Sequence, residues 1–113
     1  MRFPKTARLT ETSEYSRVKR EGKAFHGKYM VLGVYSGRAS TRFGLIASRR
    51  VGNAVVRNRL RRRLREIVRV TQPTILPGHW IVLVLRPTAG RVNVDALRSE
   101  YMALGARAAI FSQ

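Results

Sequence analysis

From Arg49 to Arg69 the chain reads RRVGNAVVRNRLRRRLREIVR, with nine arginines and one acid, Glu66, in twenty-one residues. A run this cationic cannot enter a core as a block, yet it is not a shapeless basic tail. Val56, Leu60, Leu64 and Ile67 recur on the helical period and fall within one arc, with Val68 at its edge. The pattern predicts a helix from about Ala54 to Val70, capped by Asn53 after Gly52 and ended by Pro73 and Pro77-Gly78. Its apolar stripe must dock on another element. Asn58, Arg61, Arg62, Arg65 and Arg69 lie opposite the stripe, while Arg57, Arg59 and Arg63 flank it, so their stems can follow the core edge and carry the charged heads outward. Only Glu66 is available within the segment to pair with these arginines, and like charges one turn apart repel unless a polyanion lies against them. The segment is a docked, phosphate-reading face.

The remainder of the chain supplies the surface for that docking. Trp80 to Leu85, WIVLVL, is apolar at both parities and reads as a strand buried on both faces, closed by Pro87. Lys28 to Tyr35 alternates, with Met30, Leu32 and Val34 on one side and Tyr29, Val31, Gly33 and Tyr35 on the other. Turn-forming residues from Ser36 to Ser40 lead to a second strand, about Arg42 to Ser48, expected to form a hairpin with the first. Before these, Thr10 is placed to cap a helix carrying Glu11 and Glu14 in its first turn, Tyr15 and Val18 on its apolar face, and a stop near Gly22. After them, Asn93 caps a last helix with Val94, Leu97, Tyr101, Leu104, Ala108 and Phe111 along one stripe. The order α-β-β-α-β-α describes a two-layer α+β fold. Residues 1–113 are read as a single domain, with 1–9 as a basic, flexible leader.

Charge then narrows the function. Twenty-three Lys and Arg against six acids give a formal net charge of +17, concentrated in the middle of the chain. Self-repulsion of this size calls for a polyanionic partner. Arg49 and Arg50 project ahead of the Gly52-Asn53 turn, where backbone N–H groups meet the positive end of a helix, a ready anion site. Cysteine is absent, which excludes disulfides and thiolate metal sites. The longest apolar run is too short to span a bilayer, so a soluble protein of the cytoplasm with no membrane partner is expected. An autonomous nuclease would need grouped carboxylates for metal ions or paired histidines. Six scattered acids and the isolated His26 and His79 supply neither, so no catalytic and no metal-ligating residue is assigned. A helix-turn-helix DNA binder is disfavoured, because the basic helix is followed by a buried strand and lacks a partner helix across a tight turn. Composition alone suits a ribosomal protein on rRNA equally well.

The stretch FGLIASRRVGNAVVRNRLRRRLRE, Phe43 to Glu66, resembles the signature of the protein subunit of bacterial ribonuclease P: a basic pair (Arg49, Arg50), a Gly-Asn-Ala-Val turn (Gly52 to Val55), the Arg57-Asn58-Arg59 triplet, then Arg62 and Arg65. RLTETSEYSRVKREG and GHWIVLVLRP are more weakly similar to the family's first helix and third strand. The resemblance implies a ribosomal protein S5 domain 2-like fold with a left-handed β-α-β crossover. It also implies a ribonucleoprotein endoribonuclease in which the RNA subunit, with Mg²⁺ held mainly by RNA, removes the 5′ leader of precursor tRNA. One protein would bind one catalytic RNA through Arg49, Arg50, Asn53, Arg57, Asn58, Arg59, Arg61, Arg62, Arg65 and Arg69. The leader would lie between the first helix and the sheet against Tyr15, Lys19, Tyr29, Val31 and Tyr35. The family usually has aromatics where this chain has Lys19 and Gly33.

Overall fold

A computed structural model describes residues 8–9, 12–38 and 40–112. The expected Thr10 cap and Glu11 lie outside them, as do residues 1–7 of the expected leader. The elements are α1 (Thr12–Glu21), β1 (Lys23–His26), β2 (Met30–Tyr35), β3 (Arg42–Ile46), α2 (Ala54–Thr71), β4 (Trp80–Leu85) and α3 (Val94–Arg107). Helix α1 has Glu14 in its first turn and Lys19 and Arg20 in its last, which suits its dipole. At its end Gly22 comes so close to β2 that a Cβ would collide with the Val34 carbonyl oxygen, so only glycine fits.

Strand β1 is not among the elements expected from the sequence. It is an edge strand in which only Phe25 is drawn toward the core, so it has no apolar alternation to reveal it. It pairs antiparallel with β2, Lys23 opposite Val34 and His26 opposite Val31. The connection between them is clamped from α3, where the Glu100 carboxylate accepts from the backbone N–H groups of Lys28 at 2.9 Å and of Tyr29 and Met30 at 2.8 Å each.

The expected hairpin between β2 and β3 does not form. The sheet order is β1-β2-β4-β3, with β4 antiparallel to β2 and parallel to β3. Strand β4 is apolar at both parities and therefore takes an inner slot, and the Ser36–Ser40 segment leads across it: the Arg38 N–H donates to the Gly78 carbonyl at 3.0 Å and the Gly78 N–H to Thr41 Oγ1 at 2.9 Å. Strand β3 stops at Ile46, short of Ser48, because Arg49–Val51 wind into a 3-10 turn.

Alternation in β2 is as the sequence implies. Met30, Leu32 and Val34 are buried against α2 and α3, joined by Phe43, Ile81, Leu83 and Leu85 from the neighbouring strands. From α2 come Leu60, Leu64, Ile67 and Val68, and from α3 Leu97, Tyr101 and Leu104. These two layers hold the main core. Helix α1 crosses the other face of the sheet, where Val18, Val82 and Leu9 form a smaller cluster. Leu9, at the end of the expected leader, is docked. It is 4% exposed, its N–H donates to the Phe43 carbonyl at 2.7 Å, and its carbonyl accepts from the Tyr15 hydroxyl at 3.0 Å. An apolar side chain beside an uncovered strand edge gains more from docking than from solvent. Helix α3 ends at Arg107, and Ala109 takes a left-handed turn at φ 56°, so Ala108 and Phe111 complete the stripe from beyond the helix. The Phe111 ring meets Tyr101 edge-on at 5.8 Å.

Candidate nucleic-acid interface

Helix α2 starts where expected. Asn53 Oδ1 accepts from the Val56 N–H at 3.0 Å, and a Cβ on Gly52 would strike Val56 Cγ1 at 2.8 Å, so the residue types of the turn are fixed by the cap itself. Arg49 and Arg50 stand exposed ahead of it, on a turn anchored by buried Val51. Along the helix Asn58, Arg62 and Arg65 are exposed, as their position opposite the stripe requires, and Arg57, Arg59 and Arg63 are half-buried at its flanks.

Two arginines placed on the outward row are not free there. Val68 is 1% exposed, fully in the core instead of at the arc's edge, which brings the adjacent Arg61 to the border of the buried arc. Its Nη2 reaches the Ala47 carbonyl at the end of β3, at 3.4 Å. Arg69 is half-buried and paired with Glu66, Nε to Oε2 at 2.9 Å and Nη2 to Oε1 at 2.5 Å. This i,i+3 pair holds Glu66 below the usual carboxylate range, through the hydrogen bond from Arg69. On the side facing α3, Arg59, Arg62 and Arg63 border a cleft of about 370 Å³ with Arg98 opposite.

The second surface lies on the face of the sheet that α1 crosses. A groove of about 400 Å³ opens beside the helix, floored by Val31, Gly33, Val82, Val84 and Ile46, walled by Tyr15 and rimmed by Lys19, Lys23 and His26. Tyr15, Lys19 and Val31 are thus brought together. Gly33 lies under Val18, whose Cγ1 would be 3.3 Å from a Cβ there, and the Tyr15 ring is seated on Gly44, where a Cβ would collide with Cε1. Glycines at both points let α1 approach the strands. Lys23 and His26 were not among the expected residues, because the strand that carries them has no apolar signal.

Tyr29 and Tyr35 do not join this groove. Tyr29 lies in the turn held by Glu100, where the two-residue period of β2 has not yet begun, and its ring packs at the margin of the main core. Tyr35 is on the far side of α1. There it meets Trp80 edge-on at 6.1 Å, with Arg38 stacked 4.9 Å from its ring centre.

The two surfaces meet at the edge of β3. A smaller cleft of about 170 Å³ is lined there by Arg8, Tyr15, Phe43, Leu45 and Arg65, so Tyr15 borders both this cleft and the groove. Burial raises the Tyr15 phenol above its ordinary value, Glu14 adds to the shift, and the positive charges of Arg65 and Arg61 oppose it. The arginine face therefore acts electrostatically on the wall of the groove. His79, held to Ser36 Oγ at 2.9 Å, is pushed below its ordinary value by burial. Among the described residues no three His, Cys, Asp or Glu side chains are grouped to hold a metal ion, and no helix is long and apolar enough to cross a membrane.

Ribonuclease P is the family that matches the chain, over residues 3–109. The ribonuclease P protein component of Syntrophomonas wolfei is 34% identical over 110 residues, covering 96% of this chain and 92% of that one. That of Roseiflexus castenholzii is 42% identical over 83 residues, covering 73% and 68%. Among solved structures, the RNase P protein of Thermotoga maritima superposes with a TM-score of 0.79 at 30% identity, over 88% of this chain and 96% of that one. The RNase P protein of Staphylococcus aureus has a TM-score of 0.87 at 22% identity, over 94% and 98%, a likeness of fold. Family match, relatives and fold agree with the residues that first carried the resemblance, and the chain belongs to the ribonuclease P family as its protein component.

Proposed function

We propose that α2, with Arg49 and Arg50 ahead of it, binds the catalytic RNA of ribonuclease P, and that the groove beside α1 receives the single-stranded 5′ leader of precursor tRNA. The observation that carries this reading is the junction at Tyr15, where the arginine face of α2 and the groove share one wall. An RNA strand leaving the phosphate-binding face at Arg61 and Arg65 crosses the edge of β3 and enters the groove without a gap. Arg49, Arg50, Arg57, Asn58, Arg59, Arg62 and Arg65 supply the RNA face, with Arg61 and Arg69 at its borders and Asn53 holding the helix start. Tyr15 and Val31 give the leader apolar contact, and Lys19, with Lys23 and His26, its phosphate contacts. An apolar floor with a cationic rim binds single strands with little sequence demand.

Phosphodiester hydrolysis is assigned to the RNA, together with the Mg²⁺ it requires. Among the described residues the carboxylates do not suit a Mg²⁺ site: Glu14 pairs with Arg42 at 2.6 Å, Glu21 with Arg17 at 2.9 Å, Glu66 with Arg69 at 2.5 Å and Asp95 with Arg98 at 2.7 Å, while Glu100 is engaged by three backbone N–H groups. The protein contributes positive charge that lets phosphates crowd together, as one copy per RNA in the cytoplasm. The purified chain alone should leave precursor tRNA uncut, yet lower the Mg²⁺ concentration at which the cognate ribozyme RNA cleaves it. No effect on that RNA would overturn the assignment and turn attention to rRNA.

A further inference from the structure

Helix α1 divides its face of the sheet in two. On one side is the groove. On the other, at the ends of β2 and β4, arginines and aromatic rings are interleaved in a way the arginine helix and the groove do not account for. The Arg38 guanidinium is stacked 4.9 Å from the Tyr35 ring centre and 4.8 Å from that of Trp80, and its Nη1 donates to the Tyr35 hydroxyl at 3.2 Å. Arg17 from α1 stands 5.6 Å over Tyr35, and Arg42 stands 5.7 Å over Trp80. Between this stack and the outer side of α1 is an open concavity of about 500 Å³, bordered by Trp80, Arg17, Arg20 and Ser16, with Glu14 and Glu21 at its edges. Three guanidinium groups thus gather around two rings, with Arg20 on the border of the concavity beside them and two carboxylates near, Glu14 on Arg42 and Glu21 on Arg17.

We propose that this arginine–aromatic cluster is a second contact for single-stranded RNA, taking an unpaired nucleobase against Trp80 and Arg38 and the adjoining phosphates on Arg17 and Arg20. Its chemistry fits that ligand in three respects. The concavity is open and large enough for a nucleotide. Every base has a π-face that stacks on indole or on a guanidinium plane, so the site needs no particular sequence. Arg38 is held between two rings and a hydroxyl before any ligand arrives, so little side-chain freedom is lost when a base stacks on it. An acidic protein partner would pair with the same arginines but would not use the ring faces. Because α1 stands between them, the cluster and the groove are separate sites, and an RNA strand occupying both must pass over or around that helix.

Trp80 is the only tryptophan of the chain and so reports on this site directly. A labelled hexa-adenylate titrated onto the full chain, with binding followed by its anisotropy, should quench Trp80 fluorescence over the same concentration range. Arg38→Ala should shift the quenching midpoint by roughly tenfold. Arg17→Ala, a change on an exposed helix position that leaves the strands untouched, should shift it in the same direction. Arg107→Ala, which removes one exposed charge from the end of α3 on the opposite face of the sheet, should leave the midpoint within about twofold of the unmodified chain. An anisotropy rise without quenching, or a midpoint that moves with Lys19→Ala, in the groove across α1, and with neither Arg38→Ala nor Arg17→Ala, would overturn this site while leaving RNA binding elsewhere intact. Absence of any anisotropy rise would overturn it as well. These results are separable from the Mg²⁺ assay, which does not read Trp80.

Discussion

Tyr15 borders both of the surfaces proposed to receive RNA, and its neighbours show what a tyrosine does there. The hydroxyl donates to the Leu9 carbonyl, tying the chain before α1 to the helix, and the ring fills the space left by Gly44 while forming a wall of the groove. Tyr15→Ala is expected to lower discrimination between precursor and mature tRNA while leaving affinity for the ribozyme RNA nearly intact, as direct binding assays with the two tRNAs would show; equal losses for both would contradict a leader role. Tyr101 is a residue of the opposite kind, fully buried with its hydroxyl 2.9 Å from Thr71 Oγ1. Burial pushes its phenol up to about 12 from an ordinary 10.0, because the core accepts the neutral form only. The folded protein holds this proton more tightly than the unfolded chain does. The group's contribution is therefore complete below about pH 10 and is lost as the pH rises toward 12, on the order of 2 kcal/mol. Urea titrations between pH 9 and pH 12 should show stability falling across that window, and Tyr101→Phe should flatten the fall.

Helix α2 shows how far an element can be read from its own residues. Its start, cap, docking stripe and exposed Asn58, Arg62 and Arg65 all follow from a 3.6-residue period and one asparagine, because these are local consequences of helix geometry. Arg61 and Arg69 depart from the expected row for reasons outside that period: the depth at which Val68 is buried, the end of β3, and the reach of Glu66. Arg62→Ala together with Arg65→Ala should weaken RNA binding and flatten the dependence of log affinity on log salt by about one unit for each phosphate no longer neutralised. Filter binding across a salt series measures this, and an unchanged slope would mean that these arginines face solvent in the complex. Strand β1 is the contrary case. Four residues with a single inward side chain give no period, and its partner in β2 is what makes it a strand.

At the scale of the molecule, a charge of +17 on 113 residues opposes the compact state, and the ion pairs to Glu14, Glu21, Glu66 and Asp95 offset only a fraction of it. Anions that bind the arginine surfaces should therefore stabilise the fold by mass action. Thermal unfolding followed by circular dichroism should show a midpoint that climbs with sulfate by more than with sodium chloride of equal ionic strength; equal increments would assign the effect to screening alone.

Residue spacing and residue types alone define the type of most elements, the two faces of β2 and α2 and the cationic surface. Tertiary structure alone decided that β4 lies between β2 and β3, that Tyr29 and Tyr35 stand apart from Tyr15, and that Leu9 is docked. These depend on which strand competes best for an inner position and on where one helix crosses a sheet, and neither is encoded in the period of any single segment.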